Sequence, residues 1–375
     1  MIYLDHAATT PLLPEVQAAM RPWLAGASED VGYANPNALY RAGREARQAI
    51  ECARVQLAAA LSARPDQIIF TGSGTEADNQ AIFSAAQSGA DRLRQVDSKP
   101  KLIVSAFEHH AVLNPARALR RFGFQVVELK PDRQGIVQPA VLDEAIDDAT
   151  VLVAVMCVQN ELGTLQPVAE LARIAHQYGA LFLSDAIQAL GKVPLDLPAL
   201  GVDFAAFSAH KLGGPKGVGA LYVKDRRSLS PLIYGGGQES GMRSGTQNVA
   251  GIVGFGAAAE IGAQAARDPG QRQHLAGLAE RIAASATLAT RSNLPDIVPL
   301  LLDHTSSETA LLRLDEAGIA VSGGAACSAA SLEPSHVLKA VGLDDDQAYR
   351  YLRVSLGPEN TEAEVDALLS AIRDL

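Results

Sequence analysis

Cysteine is scarce in this chain: Cys52, Cys157 and Cys327 are the only three in 375 residues, too widely spaced for a C-x-x-C metal pair or a disulfide framework. No metal site is expected from them. Long hydrophobic runs are missing as well. The longest apolar stretch, Val151 to Val158, is far shorter than a bilayer span, and Met1-Ile2-Tyr3-Leu4-Asp5 has neither the basic start nor the apolar core of a secretion signal. A cytoplasmic protein without membrane contact is expected. Basic residues are outnumbered, 32 Lys and Arg against 42 Asp and Glu for a net charge of −10, and they are scattered. Direct nucleic-acid binding is therefore not expected, which leaves room for a partner that itself handles nucleic acid. No internal repeat is present.

What the chain does have is an ordinary globular composition, 48% hydrophobic, and a mean hydropathy of +0.07. Its length exceeds what one hydrophobic core usually serves, so two domains are expected. From Gln67 to about Val223 apolar strand-like runs alternate with helical periods, the pattern of an α/β domain with a mainly parallel sheet. In Pro167 to Tyr178, for example, Val168, Leu171, Ala172, Ile174, Ala175 and Tyr178 fall on one helical face. From about Gly256 the composition shifts to Ala, Gln and Arg, and Ala263 to Thr290 reads as one or two connecting helices before a smaller α+β domain.

Ser208-Ala209-His210-Lys211 follows the strand-like run Val202 to Phe207 and precedes Gly213-Gly214-Pro215-Lys216-Gly217, so Lys211 is expected at a rigid strand edge. A lysine desolvated there loses its proton more easily and becomes nucleophilic toward an aldehyde, as a Schiff-base lysine must. Alone it would read as a surface lysine in a turn. Upstream, Leu181-Phe182-Leu183-Ser184 ends in Asp185, which could cap a helix or face a cationic ring nitrogen; pyridoxal phosphate needs such a carboxylate to keep its pyridine protonated. Thr71-Gly72-Ser73-Gly74-Thr75-Glu76 lies between the apolar run Gln67 to Phe70 and a helical stretch, where backbone N–H groups can hold a phosphate. That turn matches neither the dinucleotide fingerprint nor the Walker loop, and by itself it could be a tight turn with a capping-box Thr. Strand, phosphate turn, strand, Asp, strand, Lys is an order that suits one cofactor site.

Further stretches recur in order: Tyr3 to Pro11, Asn35-Pro36, Glu108-His109-His110, Gln159-Asn160-Glu161-Leu162-Gly163, Asp185-Ala186-Ile187-Gln188, Gly235 to Glu239, Arg243-Ser244-Gly245-Thr246, Ala326-Cys327-Ser328 and Leu352-Arg353-Val354-Ser355. With the Lys211 and Gly74 segments, they make the chain resemble, over nearly its whole length, the NifS/IscS-type cysteine desulfurases. These are fold-type I pyridoxal-phosphate enzymes of the class V aminotransferase group. The resemblance implies an α/β large domain with a mainly parallel mixed sheet, over 16–260, and a smaller α+β domain formed by 1–15 and 261–375 that carries the cysteine loop. It implies that Lys211 holds pyridoxal 5'-phosphate covalently, that Asp185 faces the pyridine nitrogen, that Gln188 and Asn160 bond the phenolic oxygen, and that His109 stacks on the ring and moves protons. The phosphate cup would be Gly74, Thr75, Ser208 and His210, with Thr246 entering from the second subunit of a homodimer. Arg353, with Asn35 beside it, would clamp the carboxylate of L-cysteine, and Cys327 would be the sulfur nucleophile.

Read without the resemblance, His109 is a loop histidine and Arg353 an outward-facing strand arginine. Cys157 and Cys52 look structural and buried, whereas Cys327, in a Gly/Ala/Ser loop, looks reactive. Asp78 and His6 stand where the family often has Asn, and Tyr40 and Ser184 where it usually has His. Of two asparagines common before Glu161, the first is Gln159. Gly323 and Ala325 replace two serines common before the family's cysteine, removing hydroxyls that could tune the thiol, while Gly323 and Gly324 would let the loop swing. The expected activity is conversion of L-cysteine to L-alanine with a persulfide on Cys327 and sulfur transfer to an acceptor or scaffold protein, in iron-sulfur cluster assembly by default. Sulfur donation for tRNA thiolation or DNA phosphorothioation, selenocysteine lyase activity, another fold-type I activity, or a non-catalytic scaffold for a sulfur carrier are the alternatives. Dehydrogenase activity is disfavoured by the glycine spacing.

Overall fold

Between Ile68 and Val223, short runs rich in Ile, Val, Leu and Phe are buried along almost their whole length, except at the edge run Gln125–Leu129, as strands must be when helices cover both faces of a sheet. A computed structural model describes residues 1–24, 32–93, 99–324 and 334–375. Its strands are β1 (Ile2–Tyr3), β2 (Ile68–Thr71), β3 (Lys101–Ser105), β4 (Gln125–Leu129), β5 (Thr150–Ala154), β6 (Leu181–Asp185), β7 (Phe204–Ser208), β8 (Gly219–Val223), β9 (Thr287–Leu288), β10 (Ile297–Leu301), β11 (Ile319–Ala320) and β12 (Tyr351–Ser355).

Seven of them form one sheet in the order β2-β8-β7-β6-β5-β3-β4. β4, β3, β5, β6 and β7 are parallel, and β8 runs against both β7 and β2. Alternate side chains feed two cores. Phe70, Ile103, Val153, Phe182 and Phe207 enter one, while Ile69, Leu102, Val104, Leu183 and Phe204 enter the other. Helix Gly74–Leu93 lies on the second face, starting three residues after β2. On the first face helix Arg41–Ala60 meets helix Val249–Ala265 so closely that a Cβ on Gly256 would lie 2.6 Å from the Ala53 Cα. The Pro167 segment forms helix Val168–Gln177 with the expected residues buried, except that Tyr178 caps its end and is only half-buried.

A second, antiparallel sheet, β9-β10-β12, and the parallel pair β1-β11 stand at the other end of the molecule. Leu4 joins Leu275, Ile282, Val298, Leu314, Val354 and Leu368 in a separate apolar cluster. The chain crosses between the sheets through two helices rather than one, Val249–Ala265 and Pro269–Ala283. They bend by 78° at a break, where Asp268 caps the second helix by accepting from the Gly270 N–H at 2.8 Å and Pro269 occupies its first turn. Among the described residues no single helix is long and apolar enough to cross a membrane.

One expectation fails on helix Arg41–Ala60. Cys157 is buried, but Cys52 is exposed. The inner face of that helix is Gly43, Ala46, Ile50, Ala53, Arg54 and Leu57, and position 52 falls between those rows.

Candidate active site

Parallel strands end on a common edge, and the turns that follow them define a crevice there. β6 ends at Asp185, β7 at Ser208, and β2 leads into the turn before Gly74. Together with His109, Asn160, Gln188, His210, Lys211 and Arg353, these line a cavity of about 250 Å³. Asp185, Lys211 and the glycine turn therefore share one site, as their order along the chain suggests.

Lys211 sits on a single 3₁₀ turn, Ala209–Lys211, directly after β7. Its Nζ donates to the Ala7 and Ala8 carbonyls at 2.7 and 2.8 Å, so the far N-terminal segment holds the amine. Burial pushes its pKa down to about 8, and the nearby Lys192 and Arg353 cations act in the same direction. A substantial share of neutral amine is thus present at mildly basic pH. Asp185 moves the other way. Burial raises it to about 6, even though its Oδ1 accepts the Ile187 N–H at 2.9 Å. At neutral pH it remains mostly an anion facing the cavity.

His109 is the N-cap of helix His110–Ala118, and its Nδ1 accepts the Ala111 N–H at 3.1 Å. Burial, with Lys211, His110 and His336 nearby, lowers its pKa to about 4. The ring is neutral and carries its proton on Nε2. His210 is lowered to about 4 by burial and by Lys211 and Lys216, and its Nδ1 lies 3.1 Å from the Thr9 hydroxyl.

The phosphate turn is built around Ser73 rather than a threonine: the Ser73 hydroxyl accepts the Glu76 N–H at 3.1 Å, and Glu76 accepts the Gly72 N–H at 2.8 Å. Gly74 and Thr75 then begin the helix, where N–H groups have no intrahelical carbonyl to meet. A Cβ on Gly74 would lie 2.2 Å from the Ile187 Cδ1, and one on Gly219 would lie 2.4 Å from the Ser73 carbonyl carbon. Gly219 is needed to bring β8 this close to the turn, whereas a side chain at position 74 would require the Ile187 side chain to move.

Arg353 is not an outward-facing strand arginine. It is 1% exposed, its Nη2 donates to Asp5 Oδ1 at 2.7 Å and its Nη1 to the Asn160 carbonyl at 2.9 Å, while its buried Nε has no partner among the described residues. Asn35 and Thr246 do not line the cavity. Both are exposed, and Asn35 turns its Oδ1 back on the Asn37 N–H at 2.9 Å, closing its own turn. Thr246 ends a loop tied to the phosphate turn by Arg243, whose Nε donates to Glu76 Oε1 at 2.8 Å. Cys327 and Ala325 lie outside the described residues. The chain leading to them does not: Ser322 pairs with Arg353 itself, its N–H donating to the Arg353 carbonyl at 3.2 Å and its carbonyl accepting the Arg353 N–H at 2.6 Å. Gly324 then takes a φ of +123°.

Sequence reasoning assigned no role to Asp5, to the Ala7 and Ala8 carbonyls or to Lys192; the first three lie in the recurring stretch Tyr3 to Pro11, which was the signal available, and nothing in the sequence singles out Lys192. It also missed the buried carboxyls behind Asp185. Asp78 is raised well above the usual range by burial, with Asp185 and Glu108 adding to the effect. Glu108 is raised to about 8, chiefly by burial, and its Oε1 accepts from the Ser105 hydroxyl and the Met156 N–H at 2.5 and 2.7 Å.

These residues fit a pyridoxal phosphate. A helix start with Ser208 and His210 suits the phosphate, a buried carboxylate suits a ring cation, and a lysine near pKa 8 suits the aldehyde, all around one cavity. The unpaired Arg353 Nε leaves a donor for a substrate carboxylate.

Comparison with known proteins gives the same picture. The model of the family described as aminotransferase class-V matches residues 2–368. A protein of Dictyoglomus turgidum named cysteine desulfurase IscS is 40% identical over 378 residues, covering 99% of this chain and 93% of that protein. A cysteine desulfurase IscS of Anaeromyxobacter dehalogenans is 42% identical over 376 residues, covering 97% of this chain and 90% of its own. A solved structure described as a NifS-like protein superposes with a TM-score of 0.90 at 34% identity, covering 100% of this chain and 98% of that one.

Proposed function

We propose, because this chain belongs to the aminotransferase class-V family and its cavity joins a lysine, a carboxylate and a phosphate turn, that it is a cysteine desulfurase using pyridoxal phosphate. The cofactor, when bound, supplies an electron sink for the pair released when the substrate's α-C–H bond breaks. Lys211 would hold it through Nζ and, as a neutral amine, would take the substrate's α-proton there. Asp185 would keep the ring nitrogen protonated, and Gly74, Thr75, Ser208 and His210 would hold the phosphate. His109, with its proton on Nε2, would lie against the ring, Gln188 and Asn160 would serve the phenolic oxygen, and Arg353 would take the substrate carboxylate; Asn35, which lies outside the cavity, would have to leave its Asn37 N–H to join it.

Cys327 as thiolate attacks the substrate sulfur. A sulfur–sulfur bond forms, the Cβ–S bond breaks with its electron pair left on carbon, and protonation of that carbon gives L-alanine. The observation that supports Cys327 over other chemistry of this fold is the pairing of Ser322 with Arg353, which starts the cysteine segment at the cavity wall five positions before Cys327. Cys327→Ser should keep the cofactor's visible band and its change on adding L-cysteine, while persulfide and alanine are lost together. Alanine formed at the wild-type rate by that variant would overturn the reading.

The same reading includes a division into a large domain, 16–260, and a small one, 1–15 with 261–375, which the separate apolar cluster around Leu4 and Val298 supports. It includes a cytoplasmic homodimer in which Thr246, exposed in its own chain, completes the partner's phosphate cup. Mixing Lys211→Ala and Thr246→Ala chains should then restore activity in heterodimers with one intact site. Heterodimers without activity would place the whole site in one chain. Delivery of the sulfur to an acceptor or scaffold protein for iron-sulfur clusters follows the function carried by the IscS name; the protein that copurifies with the persulfide form tests it against tRNA or DNA sulfur modification.

A further inference from the structure

A second lysine stands behind the first. Lys192 lies in the turn after β6, its stem half-buried and its ammonium turned inward beside Gln188. An ammonium can only donate, so the Gln188 atom that it meets must be Oε1. That fixes the other end of the amide: Gln188 Nε2 donates to the Ala7 carbonyl at 2.8 Å, the same oxygen that accepts Lys211 Nζ at 2.7 Å. The Ala7 carbonyl and the Lys192 ammonium thus hold the amide from its two ends, and without Lys192 only the Ala7 bond remains to orient it. The groups bearing on Lys192 are Asp296, from the segment entering β10, together with Arg353, Lys211 and His6, and the Arg272 guanidinium donates to its carbonyl; those bearing on Lys211 are Lys192, Arg353, Asp185 and Asp5, with the rings of His109 and His210 alongside.

We infer that Lys192 is a positioning residue for the reaction: it holds the Gln188 amide with its donor end toward the cofactor site and adds a fixed positive charge behind Lys211. This rests on the cofactor reading above. It is consistent with the depressed Lys211, on which Lys192 is the strongest charged influence after burial itself. Burial also lowers Lys192, to about 8, with Arg353 acting in the same direction and Asp296 opposing. Near neutral pH the ammonium form still predominates, so both effects act there.

The test uses the holoenzyme and three variants: Lys192→Met, close in shape and uncharged; Lys192→Arg, which keeps charge and donors; and Lys192→Gln, for use if the Met variant does not fold. The pH midpoint of the visible band reports the basicity of the Lys211–cofactor linkage. Losing a nearby cation and a donor to the phenolic oxygen both make that linkage more basic, so the midpoint should rise by about one unit in the Met or Gln variant. Cofactor dissociation should become about tenfold more favourable, as expected when a charge-assisted bond supporting the site is lost. Lys192→Arg should restore both toward wild type. A Met or Gln variant with wild-type midpoint and wild-type cofactor affinity overturns the inference. Neither readout requires turnover, so a protein that releases no alanine but shows the shift would sink the desulfurase reading and leave the role of Lys192 standing.

Discussion

Arg54 and Glu239 form a buried pair whose loss should reach the active site through the loop that ends at Thr246. Arg54 Nη1 and Nη2 donate to Glu239 Oε2 and Oε1 at 2.7 and 3.0 Å, and the two side chains are 8% and 1% exposed. Glu239 also accepts the Phe70 N–H at 3.0 Å and the Gln247 side chain at 2.5 Å. The carboxylate is thereby fully satisfied while its own backbone and that of Ser240 hold left-handed φ values of +49° and +57°. Those conformations are unfavourable outside glycine and persist only where surrounding contacts enforce them. In Arg54→Met the carboxylate keeps its two neutral donors and the field of Arg243 but loses its bonded cation, and removing one partner of a buried pair costs about 3 to 5 kcal/mol. Glu239→Gln in the same chain removes the remaining charge, so the double variant should recover a large part of the loss.

Urea unfolding followed by circular dichroism, at fixed protein and cofactor concentration, measures both. The functional consequence is specific. Because the clamp holds the segment leading to Arg243 and Thr246, Arg54→Met should weaken cofactor retention more than Lys211 reactivity. Arg54→Met within about 1 kcal/mol of wild type would refute the reasoning, since that is the scale of a surface ion pair.

Two further predictions follow from buried titratable groups. Asp78 has a native pKa above its unfolded value, so the native state holds a proton that the unfolded chain releases, and stability falls as pH rises out of the ordinary carboxylate range; Asp78→Asn should flatten that fall between about pH 4 and 7 and raise the neutral-pH urea midpoint, and an unchanged slope would count against it. Cys157 is buried with its thiol pushed up to about 12 by burial, while Cys52 is exposed; iodoacetamide should modify Cys52 in the native protein and spare Cys157, and equal rates at the two would contradict the burial described.

The large sheet was legible because its information is local. β2, β3, β5, β6, β7 and β8 are short apolar runs, and the residue that ends a run or lies in the turn just after it is displayed at the edge, so Asp185 at the end of β6, and Lys211 and Gly74 three residues past β7 and β2, could be placed from sequence alone. The outward position of Cys52 was legible too, in the spacing of Ala46, Ile50, Ala53 and Leu57, but helical membership was taken as burial. Arg353 was misread for the opposite reason. Its alternating segment looks half-exposed, yet β12 pairs with β10 along one edge and bridges Ser322 and Asp5 along the other, and the Arg353 side chain is buried against Asp5 and the Asn160 carbonyl.

The remaining parts of the site are held by contacts that no local pattern can encode. Asp5 bonds Arg353, the Ala7 and Ala8 carbonyls bond Lys211, Gln188 bonds the Ala7 carbonyl, and the Ala7 N–H donates to the Ser355 hydroxyl at 2.9 Å. Asp5 also bridges Ser355 in strand pairing. Three residues near the N-terminus, Asp5, Ala7 and Ala8, thus join the lysine turn of the large sheet to the arginine strand of the small one, across more than 200 positions in one direction and 348 in the other. Neither Lys211 nor Arg353 is held by its own sheet alone. The amine and the guanidinium reach their places only when this segment has docked against both, so closing the fold and assembling the site are the same event, and the cations that the chemistry needs are buried against carbonyls and a carboxylate that belong to neither motif.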